Sequence, residues 1–351
     1  MAEELGIPDW FRGLLELDDG EESSPPPSPT QPDKYTARWK FKTGDEVFSV
    51  NMTPDARHIL AGSNDDHVYL LDEHGHLLWK AALGGDVMGT AFVHGGQTII
   101  AGSERNGRLT FFDLAGQVQD TRDLGGGFEV MGIDATDDGQ YILVGGQGGV
   151  RFLDGRRRRE LWRYEDERRI WHVALCPEAG RIVAASRNNC VLLLDWDGRL
   201  VWKYEGSEDF VGVAISADGS VVLAGDWDHT LYCLNADRSV RWKYRGSSQW
   251  FKGVAMTPGA EYIVAARQGP KAGNQGAVYL LDGEGKLLWE HLVERNAQDV
   301  AITPDGRLIA VGTQAGEVIL LENLLPSVGY SVVPSGPFAG AVARAHVTHR
   351  R

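Results

Sequence analysis

Three residues with titratable side chains occur at or next to the same position in similar, strand-like segments of this chain. His172 and Asp299 occupy a position that small residues fill elsewhere, and Lys252 is next to that position. An imidazole, an amine and a carboxylate that meet could exchange protons with a substrate or bind a ligand. No nucleophile motif and no repeated ligand pattern accompanies them, so we expect no metal site here.

A second candidate is the run Arg156-Arg157-Arg158-Arg159, which lies in a predicted turn. Consecutive guanidinium groups can bind phosphate or an acidic partner, although such a run is often a solvated turn. The whole chain has a formal net charge of −14. A protein that neutralises nucleic-acid phosphates is normally basic, so we do not expect nucleic-acid binding.

The three cysteines show no spacing typical of metal sites or redox motifs. Cys176, Cys190 and Cys233 each lie in an apolar, strand-like stretch, where cysteine acts as a small hydrophobic residue. The N-terminus lacks the basic start and long apolar run of a secretory signal, and no segment approaches the ~18 apolar residues of a membrane span. The sequence therefore predicts a cytoplasmic protein that does not bind membranes.

A repeat of about 40 residues positions these candidates. Its first copy runs from Val47 to Lys80, and its fourth copy runs from Ile170 to Glu205. One small residue marks the period in every copy: Gly62, Gly102, Gly145, Ala185, Gly225, Ala266 and Gly312. One interval between these markers, from Ala266 to Gly312, is longer than the others because the sixth copy contains an insertion, Gln268–Gly276. Seven copies at this period predict an all-β fold, a seven-bladed β-propeller in which each copy forms one four-stranded blade.

The fourth predicted strand of most copies contains a tryptophan: Trp79, Trp162, Trp202, Trp242 and Trp289. The second copy has the polar stretch Gln117–Thr121 there, and the seventh copy ends at Leu324 without a fourth strand. The segment Arg38-Trp39-Lys40-Phe41 precedes the first copy at the right distance. We therefore predict that this N-terminal strand completes the seventh blade and closes the ring, which removes open sheet edges.

The repeat resembles two known families. VYLLDEHGHLLWK and VYLLDGEGKLLWE resemble the PQQ-like repeat, and MTPDARHILAGSNDD and ITPDGRLIAVGTQAG resemble the prokaryotic type of WD repeat. The resemblance covers about residues 35–324 and implies a propeller, a fold that supports many unrelated functions. The adjacent-cysteine pair of quinone-dependent dehydrogenases is missing. We therefore expect no quinone and no other cofactor.

Several innermost strands begin with aromatic residues, and the loops around them are rich in acidic residues. Aromatic side chains within a polar rim commonly anchor protein partners. The alternative is that these side chains pack between blades. The residues that we expect to contact a partner are Phe48, Trp171, Trp250 and Phe251.

The chain ends do not match the repeat. In residues 1–17, Pro8–Leu17 predicts a short helix with an apolar stripe formed by Trp10, Phe11, Leu14, Leu15 and Leu17. A helix of this length is not stable alone in water, so it needs a partner, either another protein or its own propeller. Residues 18–34 read as an acidic, Pro/Ser-rich linker, and residues 325–351 read as a tail that follows the propeller at 35–324.

These features together predict a non-catalytic scaffold or adaptor that binds other proteins through one propeller face and the tethered helix. The alternative is an enzyme or ligand-sensing propeller with a site at the channel mouth around His172, Lys252 and Asp299. A third possibility is a subunit of a larger assembly. The sequence names neither the partner nor the pathway.

Overall fold

The structure is a computed structural model that describes residues 33–125, 127–246, 250–269 and 275–328. Within these ranges the chain forms 26 β-strands and no helix. The same ranges contain no helix with the length and apolar character needed to cross a membrane. The predicted N-terminal helix, nearly all of the linker and most of the C-terminal tail lie outside the described residues.

Five of the sheets have four antiparallel strands each. The first two contain β2–β5 (Val47–Met52, His58–Ser63, His67–Asp72, Leu77–Ala82) and β6–β9 (Val87–Val93, Thr98–Ser103, Arg108–Asp113, Val118–Asp123). Two more contain β16–β19 (Phe210–Ile215, Val221–Asp226, Thr230–Asn235, Val240–Arg245) and β20–β23 (Phe251–Met256, Tyr262–Arg267, Ala277–Asp282, Leu287–Leu292). The fifth contains β24–β26 (Ala297–Ile302, Leu308–Thr313, Glu317–Asn323) and β1 (Tyr35–Lys42).

The remaining sheet has six strands, so the prediction of seven separate four-stranded sheets is wrong in the described chain. Its strands are β10–β15 (Val130–Ala135, Tyr141–Asp154, Arg159–Cys176, Arg181–Ser186, Cys190–Asp195, Leu200–Glu205). The long strand β12 contains the fourth predicted strand of the third repeat and the first of the fourth repeat. In the other repeats the corresponding two strands are separate. Here Arg169 pairs with Gln147, so the strand continues without a break from the third repeat into the fourth.

The N-terminal strand β1 pairs antiparallel with β26, although nearly the whole described chain separates them. Trp39 lies opposite Leu320, and Phe41 lies opposite Val318. The guanidinium group of Arg38 is 2.8 Å from the carboxylate of Glu322. The sheet of the seventh repeat therefore contains one strand from the opposite end of the sequence.

The first strand of each repeat lies innermost and contacts the first strands of its neighbours. These strands follow one another as β2, β6, β10, β12, β16, β20 and β24, and β24 also contacts β2. The buried apolar side chains lie between neighbouring sheets: Val50 of β2, for example, shares a cluster with Ala310 of β25 and Val318 of β26. The fold is therefore an all-β propeller whose core consists of several separate layers.

In every repeat except the second, a tryptophan of the fourth strand contacts the next repeat. The indole Nε1 usually donates to a main-chain carbonyl oxygen in the following turn, as Trp79 does to Leu114 at 3.0 Å, whereas that of Trp289 donates to the side chain of Asn323 at 3.2 Å. The ring lies against a glycine of that turn, because a Cβ atom on Gly116 would be 2.8 Å from Trp79. Equivalent bonds of 2.8 to 2.9 Å are made by Trp39, Trp162, Trp202 and Trp242. The repeated tryptophan is thus a contact between blades.

The second repeat lacks this tryptophan and has Asp120 at the position, opposite Phe111. The guanidinium carbon of Arg158, from the turn of the third repeat, lies 3.4 Å from the centre of the Phe111 ring. Nη1 of Arg158 is 3.5 Å from Asp120. An arginine of one repeat and a carboxylate of the previous one therefore take the place of the indole and its carbonyl partner.

We predict that Arg158→Ala lowers the free energy of unfolding by about 1–2 kcal/mol, because it removes a cation–π contact and the packing of the side-chain stem. Arg157→Ala is the matched control in the same turn, since that side chain is 72% exposed. It should change stability by less than about 0.5 kcal/mol. Urea unfolding followed by tryptophan fluorescence measures both, and equal losses would contradict the role of Arg158.

Candidate functional site

The innermost strands enclose a cavity of about 310 Å³. Its lining residues come from successive inward-facing positions of these strands. At one end, here called the mouth, the lining residues are Phe48, Met88, Met131, Trp171, Val211, Lys252 and Gln298. Further in, the polar lining residues are Ser49, Thr90, His172, Asp299, Asn51 and Asp134. At the far end the lining is apolar, with Met52, Leu175, Ile215, Met256 and Ile302. The polar groups therefore lie between two largely apolar levels.

A network of amides and charges surrounds Lys252 at the mouth. Its ammonium group lies 4.4 Å from the centre of the Phe48 ring and donates to Oε1 of Gln298. The same oxygen accepts a bond of 3.3 Å from Gln268, while Nε2 of Gln298 donates to Glu46. Burial lowers the pKa of Lys252 to about 8, although Glu46 and Asp299 oppose the shift. Burial raises the pKa of Glu46.

Two partly buried carboxylates of the cavity bond to the main chain of the neighbouring repeat. Oδ2 of Asp299 accepts from the N–H of Val50 at 2.9 Å, and Oδ2 of Asp134 accepts from Leu175 at 2.7 Å. Burial raises the pKa of Asp134 to about 6 and also raises the pKa of Asp299 above its usual value. These acids therefore link adjacent inner strands while their side chains line the cavity.

The imidazole of His172 forms a similar link, because its Nδ1 is 2.9 Å from the carbonyl oxygen of Val213 in the next repeat. Asn51 donates to the carbonyl oxygen of Thr90 at 2.7 Å. Polar side chains of the inner strands thus repeatedly connect one repeat to the next. Within the described ranges, no group of three His, Cys, Asp or Glu residues has the arrangement of a metal site.

The structure places His172, Lys252 and Asp299 along the same cavity. The sequence reasoning did not identify Asp134 or Gln298. A signal for Asp134 was present, because strand residues two apart point to the same side and Asp134 follows the inward-facing Gly132 by two positions. The partners of Gln298 gave no comparable signal, since Lys252 and Gln268 belong to the sixth repeat and Glu46 directly precedes the first.

A row of aromatic rings lies at the same end of the inner strands as the mouth. The rings of Trp227 and Trp250 stack with their centres 4.7 Å apart and their planes at 18°. The guanidinium carbon of Arg187 is 5.0 Å from the centre of the Trp227 ring and 5.8 Å from that of Trp171. All four side chains are partly exposed. We call Trp171, Arg187, Trp227 and Trp250 the tryptophan–arginine stack.

Main-chain bonds and one ion pair hold this stack. Nε of Arg187 donates to Asp209 at 3.1 Å, and the N–H of Trp227 donates to the carbonyl oxygen of the same aspartate at 3.0 Å. The carbonyl oxygen of Trp250 accepts from Gln268 at 3.0 Å. The rings are therefore fixed in place at the surface, which reduces the entropy lost when a partner binds.

Of the predicted partner-binding residues, Trp171 and Trp250 belong to the stack, and Phe48 is half-buried at the mouth. Phe251 is 0% exposed, so the prediction that it contacts a partner is wrong. Strand alternation turns it away from the cavity, and its ring centre lies 5.9 Å from that of Tyr279. The sequence reasoning missed Trp227 because it follows the second strand of its repeat rather than opening the first.

The four consecutive arginines each have an acid of the same chain within 4 Å. Arg156 is 3.4 Å from Asp138, and Arg157 and Arg159 are 3.8 and 3.9 Å from Asp154. Arg158 packs on Phe111 as described. The predicted patch for phosphate or an acidic partner is therefore neutralised in part by the propeller itself.

The residues of the predicted docking helix lie outside the described residues: Trp10, Phe11, Leu14, Leu15 and Leu17. The structure therefore leaves that prediction untested.

Comparison with known proteins gives one family. No curated protein matches the chain significantly. The PQQ_2 family model, described as outer membrane protein assembly factor BamB, matches residues 146–324. The predicted resemblance to PQQ-like repeats is thus confirmed, whereas the match adds nothing on the WD-repeat resemblance. Because the match covers just over half of the 351 residues, the chain belongs to the PQQ_2 family.

Proposed function

We propose that this protein is a non-catalytic scaffold or adaptor that binds other proteins through the propeller face that carries the tryptophan–arginine stack. The observation that carries this proposal is the stacked, partly exposed pair Trp227 and Trp250 next to Arg187. Tryptophan and arginine are enriched among the residues that dominate binding energy at protein interfaces. Fixed rings at the surface therefore suit a partner site better than a solvent-exposed loop would.

The family assignment supports the same mode of action. The description of the matching model names an assembly factor for outer membrane proteins. An assembly factor acts on other proteins, and for this chain we infer only that general property. For this protein, a cytoplasmic location, the lack of membrane binding and membership of a larger assembly remain predictions from the sequence.

We also infer that the sheets represent seven blades in a closed ring, with the six-stranded sheet holding two of them. Support comes from a main-chain hydrogen bond that recurs in every repeat, with lengths of 2.8 to 3.1 Å. Its donors are Asn64, Glu104, Gln147, Arg187, Trp227, Gln268 and Gln314. The contact between β24 and β2 and the pairing of β1 with β26 support closure at the chain ends.

If β1 closes the ring, Trp39→Ala should destabilise the protein as much as Trp79→Ala, because both indoles make the same bond to the following turn. We expect a loss of about 2–3 kcal/mol in the free energy of unfolding for each, since both rings are only partly buried. Urea unfolding measures the two values. A near-neutral Trp39→Ala beside a costly Trp79→Ala would refute closure by β1.

The partner site is tested by affinity purification of the full chain beside Trp227→Ala and Trp250→Ala. Removing an anchor of this kind typically weakens binding by roughly tenfold or more, so specific interactors should be depleted. Leu78→Ala is the control, because Leu78 is 48% exposed on an outer strand. Thermal unfolding verifies that each variant is folded. Interactors retained equally by all three variants would contradict the proposed surface.

The N-terminal helix remains a second proposed attachment point, on the evidence of its sequence alone. A chain that lacks residues 1–20 should lose one interactor that the full chain captures, because the apolar stripe requires a partner. The Trp227→Ala sample is the comparison, since it keeps the helix. An unchanged list of interactors after truncation would argue that the helix binds its own propeller or nothing.

One observation favours a second candidate, a ligand-sensing or enzymatic propeller. Lys252, His172 and Asp299 line one cavity, and burial lowers the pKa of Lys252 to about 8. An amine of that pKa can exchange protons near neutral pH. The hydrogen bonds of His172 and Asp299 to neighbouring strands suit a structural role equally, so we rank this candidate second.

A further inference from the structure

We infer that the cavity binds an organic cation, and that the partner supplies it as a lysine or arginine side chain. This inference rests on the proposed function, because it names the group that a partner at the tryptophan–arginine stack would insert. It requires that the cavity attract positive charge, that its mouth admit an aliphatic stem and that the stack lie close enough for one partner to reach both.

The charges of the cavity favour a cation. Asp134 and Asp299 line its wall, and Lys252 is the one Lys or Arg side chain among its lining residues in the described chain. The charge of Lys252 is already shared with Glu46 through the amide of Gln298. With all four groups ionised, their formal charge is −2. A carboxylate ligand would be repelled by the two aspartates, whereas an ammonium group would be attracted.

The hydrogen bonds that the two aspartates already make leave acceptor capacity for a cation. Asp299 and Asp134 accept from main-chain N–H groups of Val50 and Leu175, and the titratable side chains that act on them are His172 for both and Lys252 for Asp299. A carboxylate can accept about four hydrogen bonds, so a main-chain donor does not exhaust it. In the low-dielectric surroundings of the cavity, a carboxylate that is not hydrogen-bonded to a cation gains more from an entering cation than a fully exposed one does.

The apolar side chains at the mouth favour an organic cation over a hydrated metal ion. Met88, Met131 and Trp171 line the entrance, and they suit the methylene groups of a lysine or arginine side chain. Cation–π contacts already occur here, because Lys252 lies over Phe48 and Arg187 lies near Trp171. An incoming guanidinium or ammonium group could therefore make the same kind of cation–π contact at this mouth.

Trp171 connects the cavity to the surface. It lines the mouth and also belongs to the tryptophan–arginine stack. A partner that covers the stack would thus lie over the entrance. The cavity volume of about 310 Å³ is at the lower end of the roughly 300–1,000 Å³ typical of small-molecule sites, which suits a single side chain.

The test measures binding of n-butylamine, n-butylguanidine, butyrate and 1-butanol to the full chain by calorimetry at pH 7. We expect the two cations to bind with millimolar affinity, and butyrate and butanol to bind at least fivefold more weakly. Asp299→Asn should weaken butylamine binding at least fivefold. Asp197→Asn is the matched control, because that carboxylate is 70% exposed in a surface turn, and it should leave binding unchanged.

Butyrate binding that Lys252→Met abolishes would overturn the inference and make the cavity an anion site. Equal butylamine affinities for Asp299→Asn and Asp197→Asn would also overturn it. If Asp299→Asn does not fold, Asp134→Asn replaces it in the same comparison.

The source of the cation is tested separately with an interactor captured through Trp227. Excess butylamine should release that interactor if a basic side chain occupies the cavity. Butylamine that binds without releasing it would refute the partner as the source, and an absence of Trp227-dependent interactors would refute the proposed function while leaving the cation site measurable.

Discussion

The contact on which the rest of this fold depends is the hydrogen bond from an outer-strand indole to the turn of the next repeat. Each four-stranded sheet buries both of its faces, so it is stable only when its neighbours are held at the right distance and angle. The Trp79–Leu114 bond and the contact of the ring with Gly116 fix that relation at the rim. Asp134 and Asp299 fix it again at the centre. The cavity between the inner strands is the space that these two sets of contacts define.

The same logic explains why polar residues of the channel are ambiguous as functional signals. A carboxylate that bonds to the next strand stabilises the packing of neighbouring inner strands, and its burial gives it properties that active sites also show. His172 and Asp299 fit this description, whereas Lys252 bonds to the side chains of other residues that meet only at the mouth. The proposed site therefore combines acids that have a structural role with three partly exposed tryptophans that have no evident structural role.

Much of the all-β propeller could be predicted from the sequence, because turn residues and apolar strands recur with one period. The sheet count could not be predicted: whether residues near Arg169 form a loop or continue the ladder depends on tertiary pairing with Gln147. At the site, comparison of equivalent strand positions identified His172 and Asp299. It also predicted an exposed Phe251, because it did not take into account that alternate strand residues point to opposite sides. Trp227 was missed because it follows the second strand of its repeat, and its neighbours Trp250 and Arg187 belong to other repeats.

The pairing of β1 with β26 also constrains the order in which the protein can form. Arg38 and Glu322 contact each other across 284 positions of sequence. During synthesis the N-terminal strand emerges first, and its hydrogen-bonding groups stay without their final partner until almost every repeat has left the ribosome. Closing so distant a contact is slow relative to local hairpins, and an unpaired strand is a site of aggregation in the meantime. The pairing of β1 with β26 is therefore a late step at which misassembly can compete with correct folding.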